Sequence, residues 1–171
     1  MTTKTVTSKS PRSAAAVDPI KLLMDDHKEV HALFQKYQKL ADKGADADER
    51  QPLAEEICLM LSVHATIEEE IFYPAAREAM LEPALIDEAE VEHATCKELI
   101  SQIRSMDADD DLYDAKVTVL SEYIDHHVKE EEGELFPQCR KSSMDLPAIG
   151  AQMSERKEAL LTELTGVMET Q

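Results

Sequence analysis

Four stretches of the chain repeat apolar residues in steps of three and four, and each sets one histidine in that row. The rows are Ile20, Leu23, His27, Val30, Phe34, Tyr37 and Ala41; Leu53, Ile57, Met60, His64, Ile67 and Ile71; Ile86, Ala89, His93, Cys96, Ile100 and Ile103; and Val117, Leu120, Ile124, His127 and Glu131. Such spacing puts a row on one side of an α-helix, so each stretch predicts a helix with a histidine on its buried face. The first starts at Pro19 and closes near Lys43-Gly44. The second has Pro52 near its start and is ended or kinked at Pro74, the third follows Pro83, and the fourth runs from the acidic connector 107–111 to about Pro137.

Short links between four helices predict an all-α fold, an up-down-up-down four-helix bundle over residues 18–140. Residues 141–171 form a C-terminal extension with a further helix over about 147–168, which caps the bundle or forms a dimer contact. Residues 1–17 are polar and basic without periodicity and are expected to be a flexible tail, with a transit peptide as the alternative.

Composition narrows the function classes. Eighteen Lys and Arg against thirty-six Asp and Glu give a formal charge of −18, a surface unsuited to nucleic acid or anionic membrane. No apolar run approaches the length of a membrane span and no secretory signal is visible, so a cytoplasmic protein is expected. Three cysteines, Cys58, Cys96 and Cys139, without a C-x-x-C pair argue against disulfides, an iron–sulfur cluster or a thioredoxin-like site. No phosphate-binding loop and no nucleophilic triad stands out.

The histidines carry the chemistry. Residues equidistant from a turn lie at one height on antiparallel neighbours. His27 and His64 are equidistant from Gly44-Ala45-Asp46, His64 and His93 from the link between Pro74 and Pro83, and His93 and His127 from Asp109-Asp110-Asp111. All four are therefore expected in one core layer, where imidazoles are unsatisfied unless something shared binds them. A metal answers this better than a purely structural polar core. Glu68 follows His64 by four residues and Glu131 follows His127 by four, so each carboxylate shares a helix face with its histidine and can bridge a pair of ions. Imidazole donors favour iron over magnesium or calcium, zinc and manganese remaining open, and six donors at two levels fit a dinuclear centre.

The chain also repeats internally. His64-Ala-Thr-Ile-Glu68 through Phe72-Tyr73-Pro74 matches His127-Val-Lys-Glu-Glu131 through Leu135-Phe136-Pro137, and Asp26-His27 matches Glu92-His93. The repeat selects His127 over His126, which is expected to be a flanking or surface residue.

On these motifs residues 18–140 resemble the hemerythrin family, in particular its HHE cation-binding domains. The resemblance implies a four-helix bundle with a non-haem di-iron centre that binds dioxygen or, in some branches, serves responses to iron or nitric oxide stress. Its implied ligands are His27, His64, Glu68, His93, His127 and Glu131, with His27 and His64 on one iron, His93 and His127 on the other, and both glutamates bridging. Oxygen carriers of the family place a further histidine where this chain has Lys97, so one iron loses a donor. His31, the repeat mate of Lys97, is a candidate fifth imidazole or a boundary residue.

Other residues are read more plainly. Tyr123 is expected as a core tyrosine or a hydroxyl near the metals, and Cys96 as a small buried thiol within reach of oxidation. Glu69, Glu70, Glu130 and Glu132 are left to solvent or iron uptake. Glu90-x-x-His93 occurs once and is read as coincidence. The expected function is binding of dioxygen or another small ligand such as nitric oxide or peroxide at an open iron position. A di-iron enzyme or iron donor in peroxide, nitric oxide or iron stress is the alternative, and the sequence leaves the question of enzyme or carrier open.

Overall fold

A computed structural model describes residues 16–79 and 82–168, and every expected apolar row within them forms a helix. The tail expected over 1–17 lies, as far as residue 15, outside the described residues. In chain order the helices are α1 (Pro19–Asp42), α2 (Ala47–Ile67), α3 (Tyr73–Glu78), α4 (Pro83–Arg104), α5 (Tyr113–Glu130), α6 (Phe136–Lys141) and α7 (Leu146–Met168). One widened π turn, Glu68–Phe72, joins α2 to α3, and another, Glu131–Leu135, joins α5 to α6, so the described residues form five rods. No strand occurs among the described residues, and no helix is long and apolar enough to cross a membrane.

Local chemistry sets the ends. Asp18 caps α1 by accepting from the Ile20 and Lys21 N–H groups at 3.0 and 3.3 Å, and Pro19 fills the first helical position, where its missing N–H costs nothing. Gly44, at φ 65°, turns the chain from α1 into α2 in a conformation that penalises other residues.

Pro137 does not end its helix, contrary to expectation, and at Pro74, where an end or a kink was expected, the rod likewise continues through a widened turn. In a regular helix a proline ring collides with the carbonyl four residues back and offers it no N–H. That carbonyl belongs to Glu70 in one rod and Gly133 in the other, both inside the π turns, where the wider coil absorbs the conflict.

The core is divided. One apolar cluster holds Val30 to Tyr37 of α1, Ala54 to Leu61 of α2, Cys96 to Ile103 of α4 and Tyr113 to Ile124 of α5. The other holds Ile20 and Leu23, Val63 to Ala76, Ile86 and Ala89, and Leu135 to Cys139. The four histidines lie where each rod passes from one cluster to the other, His64 just after Val63, the first residue of the second cluster on its rod. α1 packs on α2 and α5, and α4 packs on the same two helices. Beyond the first cluster Arg50 staples the links, donating to Ala45 O at 2.9 Å, to Ala108 O at 3.0 Å and to Asp114.

α7 packs on α1, α2 and the first π turn. Ile149, Met153 and Leu160 enter the second cluster, and Arg156 pairs with Glu70 at 2.7 Å. Gly150 permits this approach, since a Cβ there would stand 1.9 Å from the Val17 carbonyl oxygen.

Candidate metal centre

The six expected donors meet in one buried layer. His27, His64, His93 and His127 are at most 7% exposed, and Glu68 and Glu131 at most 2%. His27 Nε2 lies 3.2 Å from His64 Nε2, and His93 Nε2 lies 3.1 Å from His127 Nε2. The carboxylates stand between these pairs. Glu68 turns Oε1 to His64 at 3.2 Å and Oε2 to His93 at 3.3 Å, while Glu131 Oε2 is 3.4 Å from both His27 and His127.

Every seam histidine is held from behind. His64 Nδ1 faces Asp26 at 3.3 Å, His127 Nδ1 faces Glu92 at 2.7 Å, and His27 and His93 face Glu132 and Glu69, each at 2.9 Å. A carboxylate on Nδ1 fixes the ring and keeps the proton there, which leaves Nε2 directed inward for a cation. Glu69 and Glu132, expected to serve solvent or iron uptake, thus stand behind imidazoles of the layer. They hold the same place in both repeats, as Asp26 and Glu92 do, and that coincidence was the signal available in the sequence.

Tyr73 was not anticipated. Its hydroxyl donates to Glu131 Oε1 at 2.8 Å and lies 3.4 Å from Glu68 Oε2 and His93 Nε2. Its repeat mate Phe136 instead stacks on His27, with ring centroids 5.9 Å apart.

Other candidates fall outside the layer. His31 is 54% exposed in its side chain and sits between Asp125 and Gln35, so it is a boundary residue and no fifth imidazole. Tyr123, at 43% exposure, is neither a core residue nor a neighbour of the histidines: it lies on the outer face of α5. Lys97 turns onto Glu69 at 2.5 Å. Glu90 pairs with Arg77. His126 is exposed and contacts Glu92 and Glu130 at 3.3 and 3.2 Å on the surface. Cys96 is buried and, with the seam histidines and Ile124, lines a cavity of about 30 Å³.

Two observations test whether cations fit. Glu68 Oε1 and Glu131 Oε2 are fully buried yet accept no hydrogen bond from the described residues, although each lies beside imidazole nitrogens. Buried carboxylate oxygens are rarely left so. In addition, neighbouring donors at about 2.1 Å from one octahedral ion are about 3 Å apart, close to the separations of both histidine pairs.

The electrostatics agree. Burial is the strongest single influence on His64 and opposes its charging, yet Glu68 and Asp26 prevail and push it up to about 10. His127 is likewise pushed up to about 11, by Glu131 and Glu92 against burial. Burial also opposes ionisation of Glu131, but His127 and His27 hold its carboxyl well below the usual range. The layer therefore attracts positive charge, and protons occupy it when metal does not.

Comparison with known proteins agrees with this geometry. The fold superposes with a TM-score of 0.75 on the crystal structure of a hemerythrin HHE cation binding domain-containing protein from Mycobacterium kansasii, at 23% identity and over 91% of this chain and 94% of that one. A search among curated proteins finds no match. The family model of the hemerythrin HHE cation binding domain matches residues 18–139, which include all six donors and both π turns. The chain belongs to the hemerythrin HHE cation-binding domain family.

Proposed function

We propose that the chain is a cytosolic non-haem di-iron protein that binds dioxygen, or another small ligand such as nitric oxide or peroxide, at an open iron position. Its donors ride on an up-down-up-down four-helix bundle, a course supported by the alternation of the two apolar clusters along the chain. In this reading His27 and His64 would hold one ion and His93 and His127 the other, and Glu68 and Glu131, which stand between the pairs, would serve both. The observation that carries it is the pair of buried carboxylates, each placed between histidines from different helices and each with an oxygen that accepts no hydrogen bond.

Iron, when bound, supplies a redox-active Lewis acid. The protein supplies the rest. Asp26, Glu69, Glu92 and Glu132 orient the imidazoles, and Tyr73 holds a proton 2.8 Å from Glu131 Oε1. Lys97, engaged with Glu69, offers no donor, so a bound ion on that side would have a coordination position open to a small ligand. The cavity of about 30 Å³ has room for a diatomic molecule between apolar walls. Anaerobic reconstitution with ferrous iron tests this reading. Two ions per chain and an absorption band that appears reversibly with dioxygen or nitric oxide are expected; an empty protein, or a spectrum indifferent to every ligand, overturns it.

The second reading is an enzyme or iron donor in peroxide, nitric oxide or iron stress. Tyr73, a hydroxyl donor within the layer, and the buried Cys96 beside the cavity favour it. Repeated turnover with a reductant distinguishes the enzyme, and rapid loss of iron to a mild chelator distinguishes the donor.

A further inference from the structure

Of the four carboxylates behind the imidazoles, Asp26 is the one tied to an element outside the four crossing rods. Lys157 of α7 donates to Asp26 Oδ1, and Asp26 Oδ2 faces His64 Nδ1 at 3.3 Å. Asp26 is 7% exposed and the Lys157 side chain 26%, so the pair is largely shielded from water. The repeat mate of Asp26 is placed otherwise: the outer oxygen of Glu92 faces the exposed His126 on α5. Lys97 serves Glu69 in a similar way, but from α4 itself and with nearly half of its side chain in solvent.

We infer that Lys157 is a positioning residue for His64: through Asp26 it fixes the imidazole of one cation position, so that docking of α7 sets how firmly that position, and not the other, holds its metal. The inference rests on the di-metal reading above. Its physical basis is the cost of a bare buried carboxylate oxygen. Without the ammonium, Asp26 must rotate toward solvent or admit water, and either motion frees His64 Nδ1. A histidine that loses its carboxylate partner typically gives up ten- to a hundredfold in metal affinity. Glu69 behind His93 is held by Lys97 of α4, and Glu92 behind His127 meets His126 of α5, so neither of these carboxylates is held from α7.

The test compares the full-length protein with K157Q, K157R and R156Q. R156Q removes the Arg156–Glu70 pair, a second fastening of the same helix that does not touch Asp26. Release of iron to a chelator is followed by stopped flow. In K157Q one of the two ions should leave about ten- to a hundredfold faster while the other keeps its rate. K157R should restore the slow phase, and R156Q should resemble the unaltered protein. In metal-free protein, nitrogen-edited NMR should show the His64 Nδ1 proton exchanging faster with water in K157Q, with that of His127 unchanged. Equal acceleration of both ions, R156Q matching K157Q, or an unaltered His64 proton overturns the inference. If the unaltered protein takes up no metal pair, the di-metal reading falls, whereas the NMR comparison still decides whether Lys157 holds His64.

Discussion

The half of the centre built on His27 and His64 and the half built on His93 and His127 share a polar skeleton but differ immediately around it. Each has two imidazoles about 3 Å apart, one carboxylate from the residue before the first histidine, and one from the residue after a shared glutamate. The differences lie one layer out. Tyr73 stands where the repeat gives Phe136, Cys96 where it gives Val30, Lys97 where it gives His31, and Asp26 is held by Lys157 whereas Glu92 meets His126. Duplication therefore accounts for a symmetric donor set, and substitution around it makes the two halves inequivalent without moving a donor.

The sharpest way to break this symmetry is to remove a residue that belongs to both halves. Glu68 gives one oxygen to each pair, so Glu68→Ala separates them and leaves His64 and His93 without their shared counter-charge. Iron content measured by elemental assay should fall from a pair to at most about one ion per chain, and Glu131→Ala should do the same. Retention of two ions in either variant would remove the bridging role.

A smaller effect is expected where the halves already differ. Tyr73→Phe gives the start of α3 the residue type that opens α6. It strips a buried Glu131 oxygen of its 2.8 Å hydrogen bond, an interaction with a charged acceptor worth about 2 kcal/mol. Denaturant unfolding of the metal-free protein should show that loss, while both ions still bind after reconstitution.

Tyr73 also marks the limit of what the sequence discloses. The helices and the meeting of the six candidate donors in one layer were legible because apolar period, turn signals and the histidine spacing all point to one register. Tyr73 was not, because its place depends on the first π turn, and the backing carboxylates left no sign but their matching places in the repeat. In an unbroken α-helix, nine residues at about 100° each put Tyr73 half a turn away from His64, facing out. The wider turn around Glu68–Phe72 takes up that rotation, and Tyr73 becomes fully buried. Pro74 and Pro137 announced an irregularity, but a proline in a helical pattern announces a stop more often than a widened turn. The role of α7 was hidden for a different reason: Lys157 lies more than a hundred residues from Asp26, and no periodicity connects them.

Cys96 and Val30 offer a comparison that pH exposes. Both are buried and line the same cavity, but burial, with Glu92 adding to it, pushes the Cys96 thiol from 9.0 up to about 11. Between those values the unfolded chain loses the thiol proton and the folded chain keeps it, so the unfolded state binds fewer protons and stability falls as pH rises. Below pH 9.0 the thiol makes no difference. Cys96→Val should therefore match the unaltered protein in melts at pH 8 and exceed it modestly near pH 10. Identical alkaline losses would show that the thiol is not held protonated.

The smallest effects belong to the two histidines that adjoin the layer without joining it. His31 follows His27 by one turn and His126 precedes His127 directly, so an error of register on α1 or α5 would exchange them with ligands. Their side chains are 54% and 61% exposed and their partners are surface groups, which leaves little for an alanine to remove. His31→Ala and His126→Ala should each keep the full pair of ions and shift unfolding by no more than about 0.5 kcal/mol. His126→Ala is the more demanding case, because its imidazole touches the outer oxygen of the carboxylate that orients His127. Loss of an ion in that variant would mean that Glu92 needs an outer partner as Asp26 needs Lys157, and the two halves would then be alike in the layer where they are held to differ.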